Sequence, residues 1–463
     1  MEQTKDNSYF ATAPIGGLIA KFAIPTCLSL IVVALYNIVD QIFIGQGVGY
    51  LGNGATSVIF PFTCAASALA LLVGDGAASF LSLKLGENDK KGAAKGVGNA
   101  IAVLVILGVL LLVVGLAALR PLSRLFGATD TLMPYVLDYG YPIIIGLPFL
   151  VILTGLNSII RADGSPKFAM LTMLTGAVIN CILDPLFIFV FKWGVWGAGV
   201  ATAAGQVISF IISIAYLFHC HNIKLEKRGF VLKANTVTSV LKLGVSSFIT
   251  QISIVIVVIL SNNLLTKYGA SSKYGAEIPL TAIGIVMKIN QILIALLVGI
   301  AAGAQPIVGY NYGAGKFDRV KKTFTLSVLI AAVVGAIGFI LFEFCPQVMV
   351  NIFGSDGALY MEFCVKSFRI FLCFCILTSF QIVSGIFLQA IGQPVKAAIV
   401  SLSRQIIFFI PAVLILPRFM GVEGILWAAP VGDGLSFIVS VIFIIVEMKK
   451  LNRDIKQKQV KVN

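Results

Sequence analysis

The chain has 463 residues, of which 58% are hydrophobic and 12% charged, with a mean hydropathy of +0.99. This excludes an ordinary soluble domain and describes a polytopic, all-α integral membrane protein. The net charge of +14 does not point to nucleic acid, because Lys and Arg sit mostly in short loops between apolar runs and form no basic face of a soluble fold.

Met1 to Lys21 is polar and has no cleavable signal pattern, so the first apolar helix is expected to stay and insert. With about 20 apolar residues per span, the sequence predicts twelve helices. Their approximate limits are 18–45, 54–83, 96–119, 132–160, 167–191, 195–219, 239–266, 278–309, 323–345, 360–391, 395–417 and 424–447. The first holds Asp40 deep in an apolar run, with Tyr36 and Asn37 one turn before it. A charge there costs roughly 2.5–3.5 kcal/mol on insertion scales, so function or pairing must keep it.

The eight cysteines are scattered with no CxxC spacing and read as small packing residues. His219 and His221 flank Cys220 beside lysines, and a solvated loop is expected there in place of a metal site. The positive-inside bias gathers Lys84 to Lys95, Arg161, Lys167, the 224–242 group, Lys316 to Lys322 and the Lys449 to Lys461 tail on one side. Both termini are therefore expected in the cytoplasm.

The sequence repeats itself. Leu71-Leu72-Val73-Gly74 returns at Leu296 to Gly299, Gly164-x-Pro166 at Gly392-x-Pro394, and Gly205 with Ser209-Phe210 at Gly432 with Ser436-Phe437. The offsets of 225, 228 and 227 residues agree on one register. Six helices duplicated into twelve are expected to give an N-lobe (1–220), a cytoplasmic linker (221–238) and a C-lobe (239–463) around a central cavity, with transport by rocking one lobe on the other.

At about 1.5 Å per residue, Asp40, Asp184 and Thr202 fall about 8–10 Å from the outer ends of three helices of one lobe. Asn180 lies one turn deeper than Asp184 on the same face, as Tyr36 does below Asp40. Pro185 cannot donate to the carbonyl of Cys181, which adds a further oxygen. Such a hard-oxygen pocket suits sodium, and two carboxylates that meet are equally relieved by a shared proton. The residues do not choose between Na+ and H+. The alternative is that each polar side chain only joins helices. In the C-lobe, Lys288 and Asp433 are expected to neutralise one another, with Arg404 joining them or binding a carbonyl, while Asp75 is expected within reach of lysines on the cytoplasmic side.

Several motifs carry a family likeness: Asp40-x-x-Phe43-x-Gly45, Arg161-Ala-x-Gly164-x-Pro166, Asn180-x-x-x-Asp184-Pro185, and Gln305-Pro306 followed by Gly309-Tyr310-Asn311-Tyr312-Gly313. With the six-plus-six helices, the chain resembles the multidrug and toxic compound extrusion (MATE) family over nearly its whole length, in the DinF and MepA-like prokaryotic branch. The resemblance implies a monomeric efflux antiporter of the prokaryotic inner membrane. It would export bulky, often cationic amphiphilic drugs through the lipid bilayer in exchange for sodium or protons, with no other cofactor and no nucleic acid. It implies cation coupling at Asp40, Asn180, Asp184 and Thr202, and a substrate cavity at Tyr36, Asn37 and Asn157. The NorM-like branch uses acidic residues in helices seven and ten, where this chain offers only Gln251, Asn262, Asn263 and the marginal Glu362. A lipid-linked saccharide flippase of the same superfamily is the rival reading, but it would tend to have fourteen helices and a cluster of central arginines, of which only Arg404 is present. A membrane enzyme lacks a metal or nucleophile constellation.

Overall fold

The structure is a computed structural model that describes residues 8–218, 220–275, 277–353 and 357–462. Apolar runs of this length satisfy their backbone groups inside a bilayer only as helices. The elements are α1 (Ser8–Thr12), α2 (Ile15–Gly47), α3 (Tyr50–Gly86), α4 (Lys90–Leu125), α5 (Met133–Ala162), α6 (Pro166–Pro185) and α7 (Gly194–Leu217). After these come α8 (Ala234–Ala270), α9 (Glu277–Gly313), α10 (Phe317–Phe344), α11 (Pro346–Phe353), α12 (Ala358–Phe371), α13 (Cys375–Ala390), α14 (Pro394–Leu402), α15 (Ile410–Ile415), α16 (Pro417–Met420) and α17 (Val422–Val462). A π-helical turn, Leu186–Val190, extends α6, and a second, Ser403–Phe409, joins α14 to α15.

Among the described residues, eleven helices are long and apolar enough to cross a membrane, and the bent pair α12–α13 makes a twelfth span. The chain is thus a multi-pass membrane protein. The tenth span, expected as one helix over 360–391, is broken by 48°. No proline or glycine marks the break; the hydrogen bonds from Cys373 N to Ile370 O and Cys375 N to Leu372 O stretch to 3.4 Å there.

The duplication is visible in the backbone. Gly164 (φ +98°) and Gly392 (φ +75°) both take the left-handed conformation that closes one helix, and a proline then starts the next at its first turn. Two large apolar cores form, one from Ile44 to Val240 and the other from Leu265 to Leu451, and a smaller third joins Phe10, Phe22 and their neighbours to Ile307.

The contacts that join residues 8–218 to 234–462 gather toward the end of the molecule that carries both termini. A Cβ on Gly303 would stand 2.6 Å from Ala23 Cα, and one on Gly299 2.7 Å from Cys27 Cα, so α9 meets α2 backbone to backbone. Gly244 on α8 approaches Leu72 of α3 in the same way, while Gln305 Nε2 donates to Ser79 Oγ (2.8 Å). Asp75 accepts from Ser247 of α8 (2.8 Å) and from Ser158 of α5 (2.7 Å), so it is held between helices by serines and not by the lysines expected.

Beneath this closure Phe10 of α1 is buried against Phe22 and Tyr310. The Phe10 carbonyl accepts from Asn311 and Arg319. The connection after α7 lies on the first half. Asp163 accepts from the backbone N–H of His221 and Asn222, and Asn99 donates to Gly229 O and Val231 O while accepting from Lys233 N.

Candidate functional site

The site lies in the half of the first repeat away from the termini. Asp40 sits seven residues before the end of α2, and the carboxyl groups of Asp40 and Asp184 come within hydrogen-bonding reach of each other. Asp184 is fully buried. Asn180, one turn earlier on α6, points its Nδ2 at Asp184 Oδ1 (3.3 Å) and at Thr202 Oγ1 on α7 (3.2 Å). Asp40, Asp184 and Thr202, which shared one depth in the sequence, and Asn180 one turn deeper are therefore brought together.

Local structure explains the placement. Pro185 removes a backbone donor; Leu186 N–H bonds Leu183 O, three residues back, and the chain then widens into a π-helical turn in which Phe191 N–H bonds Leu186 O, five residues back. Gly205 lets α7 approach Gly176 on α6, where a Cβ would meet Gly176 O at 2.8 Å. That close packing brings Thr202 to Asn180.

The pocket gathers buried acceptors without matching donors. Asp40 Oδ1, Asn180 Oδ1 and Asp184 Oδ2 are all buried without a hydrogen-bond partner. Unmatched buried acceptors are costly, and two carboxylates in contact repel. One monovalent cation or one shared proton would ease both conditions.

Tyr36 lies within electrostatic range of both carboxylates. Tyr139 of α5, which the sequence did not single out, also lies near both carboxylates and near Thr202. Its signal was depth alone: it lies six residues into α5, about 9 Å, in the same layer as Asp40. Asn37 is exposed. The structure does not bring Asn157 to the carboxylates; its Nδ2 donates to Ala169 O (2.8 Å), and its Oδ1 accepts from Arg161 (2.8 Å) at the opposite end of α5.

The expected pairing of Lys288 with Asp433 does not form. Asp433 accepts instead from Arg404 Nε (2.8 Å) and Thr378 Oγ1 (2.9 Å), closing a network of α17, the second π-helical turn and α13. Equal depth on two helices said nothing about which way each side chain faced. Glu362, at the start of α12, pairs with Lys273 and Tyr274 at the end away from the termini.

Residues 25–186 and 246–414 match the model of the MatE family, one segment in each half of the chain. The chain is similar to a FAD transporter of Shewanella oneidensis, at 26% identity over 445 residues covering 94% of this chain and 95% of that protein. It is also similar to the multidrug export protein MepA of Staphylococcus aureus, at 23% identity over 451 residues, covering 96% and 97%. A solved multidrug resistance MATE family transporter of the MOP superfamily, in an outward-facing conformation, superposes with a TM-score of 0.89 at 24% identity, covering 98% of this chain and all of that one.

Proposed function

The chain belongs to the MatE family of transporters, and from that premise we propose that it is an antiporter exporting bulky amphiphilic small molecules, driven by sodium or protons. The observation that carries the reading is the meeting of Asp40 and Asp184 beside Asn180 and Thr202, with three buried oxygens that have no hydrogen-bond donor. The export of many drugs by the similar MepA supports the substrate range.

The lysine-rich face with both termini is assigned to the cytoplasm of a prokaryotic inner membrane. On that assignment the closed end is cytoplasmic and the Asp40 pocket lies toward the outside. Residues 1–220 and 239–463 act as the two lobes, with 221–238 linking them.

In the proposed cycle, substrate enters a cavity open to the cytoplasm while Asp40 and Asp184 hold the ion acquired outside. Releasing that ion inward and closing Asp75 onto Ser247 favour the outward-facing state, in which a new ion enters the pocket. Binding there draws α2 toward α6 and α7, reshapes the cavity wall at Tyr36 and displaces substrate outward. Each ligand thereby favours a different state, as coupling requires. The lipid-linked saccharide flippase is disfavoured, since Arg404 is already held by Asp433.

The test is ethidium efflux from reconstituted vesicles under a sodium gradient and a pH gradient imposed separately. Wild type should export the dye under one of them, and Asp40→Asn and Asp184→Asn, folded by thermal unfolding, should not. Normal pumping by both variants would remove the carboxylates from coupling.

A further inference from the structure

Once Arg404 claims Asp433, Lys288 is left in the ninth helix with neither a carboxylate within 4 Å nor a hydrogen-bond partner among the described residues. A lysine inside a span is costly, and it persists where it faces a water-filled path or a ligand. Its direction can be read from α9 itself. Lys288 lies eleven residues, about 16 Å, farther from the termini than Gly299, and eleven residues of helix return to within roughly 20° of the starting direction. Lys288 therefore shares the face on which Gly299 and Gly303 touch Cys27 and Ala23 of α2.

Asp40 behaves oppositely. It lies thirteen residues beyond Cys27 on α2, a rotation of roughly 220° away from the contact with α9, and it turns into its own half toward Asp184. Beyond the crossing of α2 and α9, Asp40 is turned away from α9, while Lys288 lies on the face of α9 that meets α2 nearer the termini. The 225-residue register places Thr63 at the matching position of the first half, so this charge belongs to one side only.

We propose that Lys288 is a substrate-recognition residue, and that the exported compounds include amphiphiles carrying a phosphate or carboxylate on an aromatic body. The proposal rests on the transporter reading above and deepens it. A charge-assisted hydrogen bond from the ammonium holds the anionic group. A proton or sodium in the Asp40 pocket cancels one of its two carboxylate charges and so weakens the repulsion that an anionic substrate meets there. The similarity to a FAD transporter suggests the probe.

The experiment compares FAD with riboflavin, which has the same ring system and no phosphate, by binding to purified protein and by transport in vesicles, with ethidium efflux run alongside. Wild type should bind FAD at least tenfold more tightly than riboflavin. Lys288→Met and Lys288→Gln should each lower that ratio about tenfold, and Lys288→Arg should keep it. An unchanged ratio in both neutral variants, or no FAD preference in a wild type that exports ethidium, overturns the proposal and leaves the transporter reading standing. Failure to move ethidium, FAD and riboflavin alike overturns both. Headgroup-labelled phosphatidylglycerol in the same vesicles separates the source of the phosphate: its translocation in place of FAD, lost in Lys288→Met, would overturn the soluble substrate.

Discussion

The Nδ2 of Asn180 stands 3.2 Å from Thr202 Oγ1 and 3.3 Å from Asp184 Oδ1, so one amide ties α6 to α7 and aims a carboxylate. Its own Oδ1 is left facing the pocket with no donor. That division of labour makes Asn180 a positioning residue and an ion ligand in the proposed cycle. Losing such a buried hydrogen bond costs about 1–3 kcal/mol. Asn180→Ala should therefore raise the ion concentration for half-maximal efflux by roughly ten- to a hundredfold, and Thr202→Val by less, since it removes one partner only. The check is the ion dependence of ethidium efflux; unchanged dependence in Asn180→Ala would reduce the amide to helix packing.

Ser247 is the side chain of α8 that reaches across to a charge on α3, at 2.8 Å from Asp75 Oδ2. Hydrogen bonds to charged groups contribute about 1.5–3 kcal/mol. Ser247→Ala should shift the balance toward opening at the termini face by roughly ten- to a hundredfold. Distances between spin labels on the termini ends of α3 and α8 would report this as a longer-distance population. Ser158→Ala, which removes a partner within the first half, should shift it less.

Backbone contact between α2 and α9 leaves no room for a side chain at Gly303, where a Cβ would meet Ala23 Cα at 2.6 Å and Phe22 C at 2.9 Å. Gly303→Leu is expected to wedge the termini face open and abolish export while the protein still inserts. Alkylation of a cysteine introduced on the buried face near Ser79 should become faster than in the parent. Gly284, with nothing within 4 Å of a built Cβ, supplies the control substitution to Ala.

Much of this was legible because membrane helices declare themselves by length. The first span, expected over 18–45, runs Ile15–Gly47, and the fifth, expected over 167–191, runs Pro166–Pro185 and on through Val190. Convergence at the site was legible because Asp40, Asp184 and Thr202 shared a depth. Tyr139 was not, since a tyrosine in an apolar run looks like any amphipathic aromatic. Lys288 was paired wrongly with Asp433 because depth fixes one coordinate of a side chain and rotation about the helix fixes another. The break between α12 and α13 had no residue to announce it.

Asp163, in the turn between α5 and α6, supplies a pH dependence outside the spans. Burial pushes its carboxyl up from 3.8 to about 6, against the opposing hydrogen bonds from Tyr216 and from the N–H groups of His221 and Asn222. The folded pKa exceeds the unfolded one, so the proton stabilises the docked turn: this contribution is fully present below about pH 4 and is lost as pH rises through about 6. At 1.36 kcal/mol per pKa unit the whole span is about 3 kcal/mol. Docking of residues 221–233 on the first half should therefore weaken between pH 5 and 7.5, seen as faster amide hydrogen exchange there after correction for intrinsic rates. Asp163→Asn should flatten that dependence while exchange in α4 and α5 stays as in wild type. A pH dependence of equal size in Asp163→Asn would move its origin to another group.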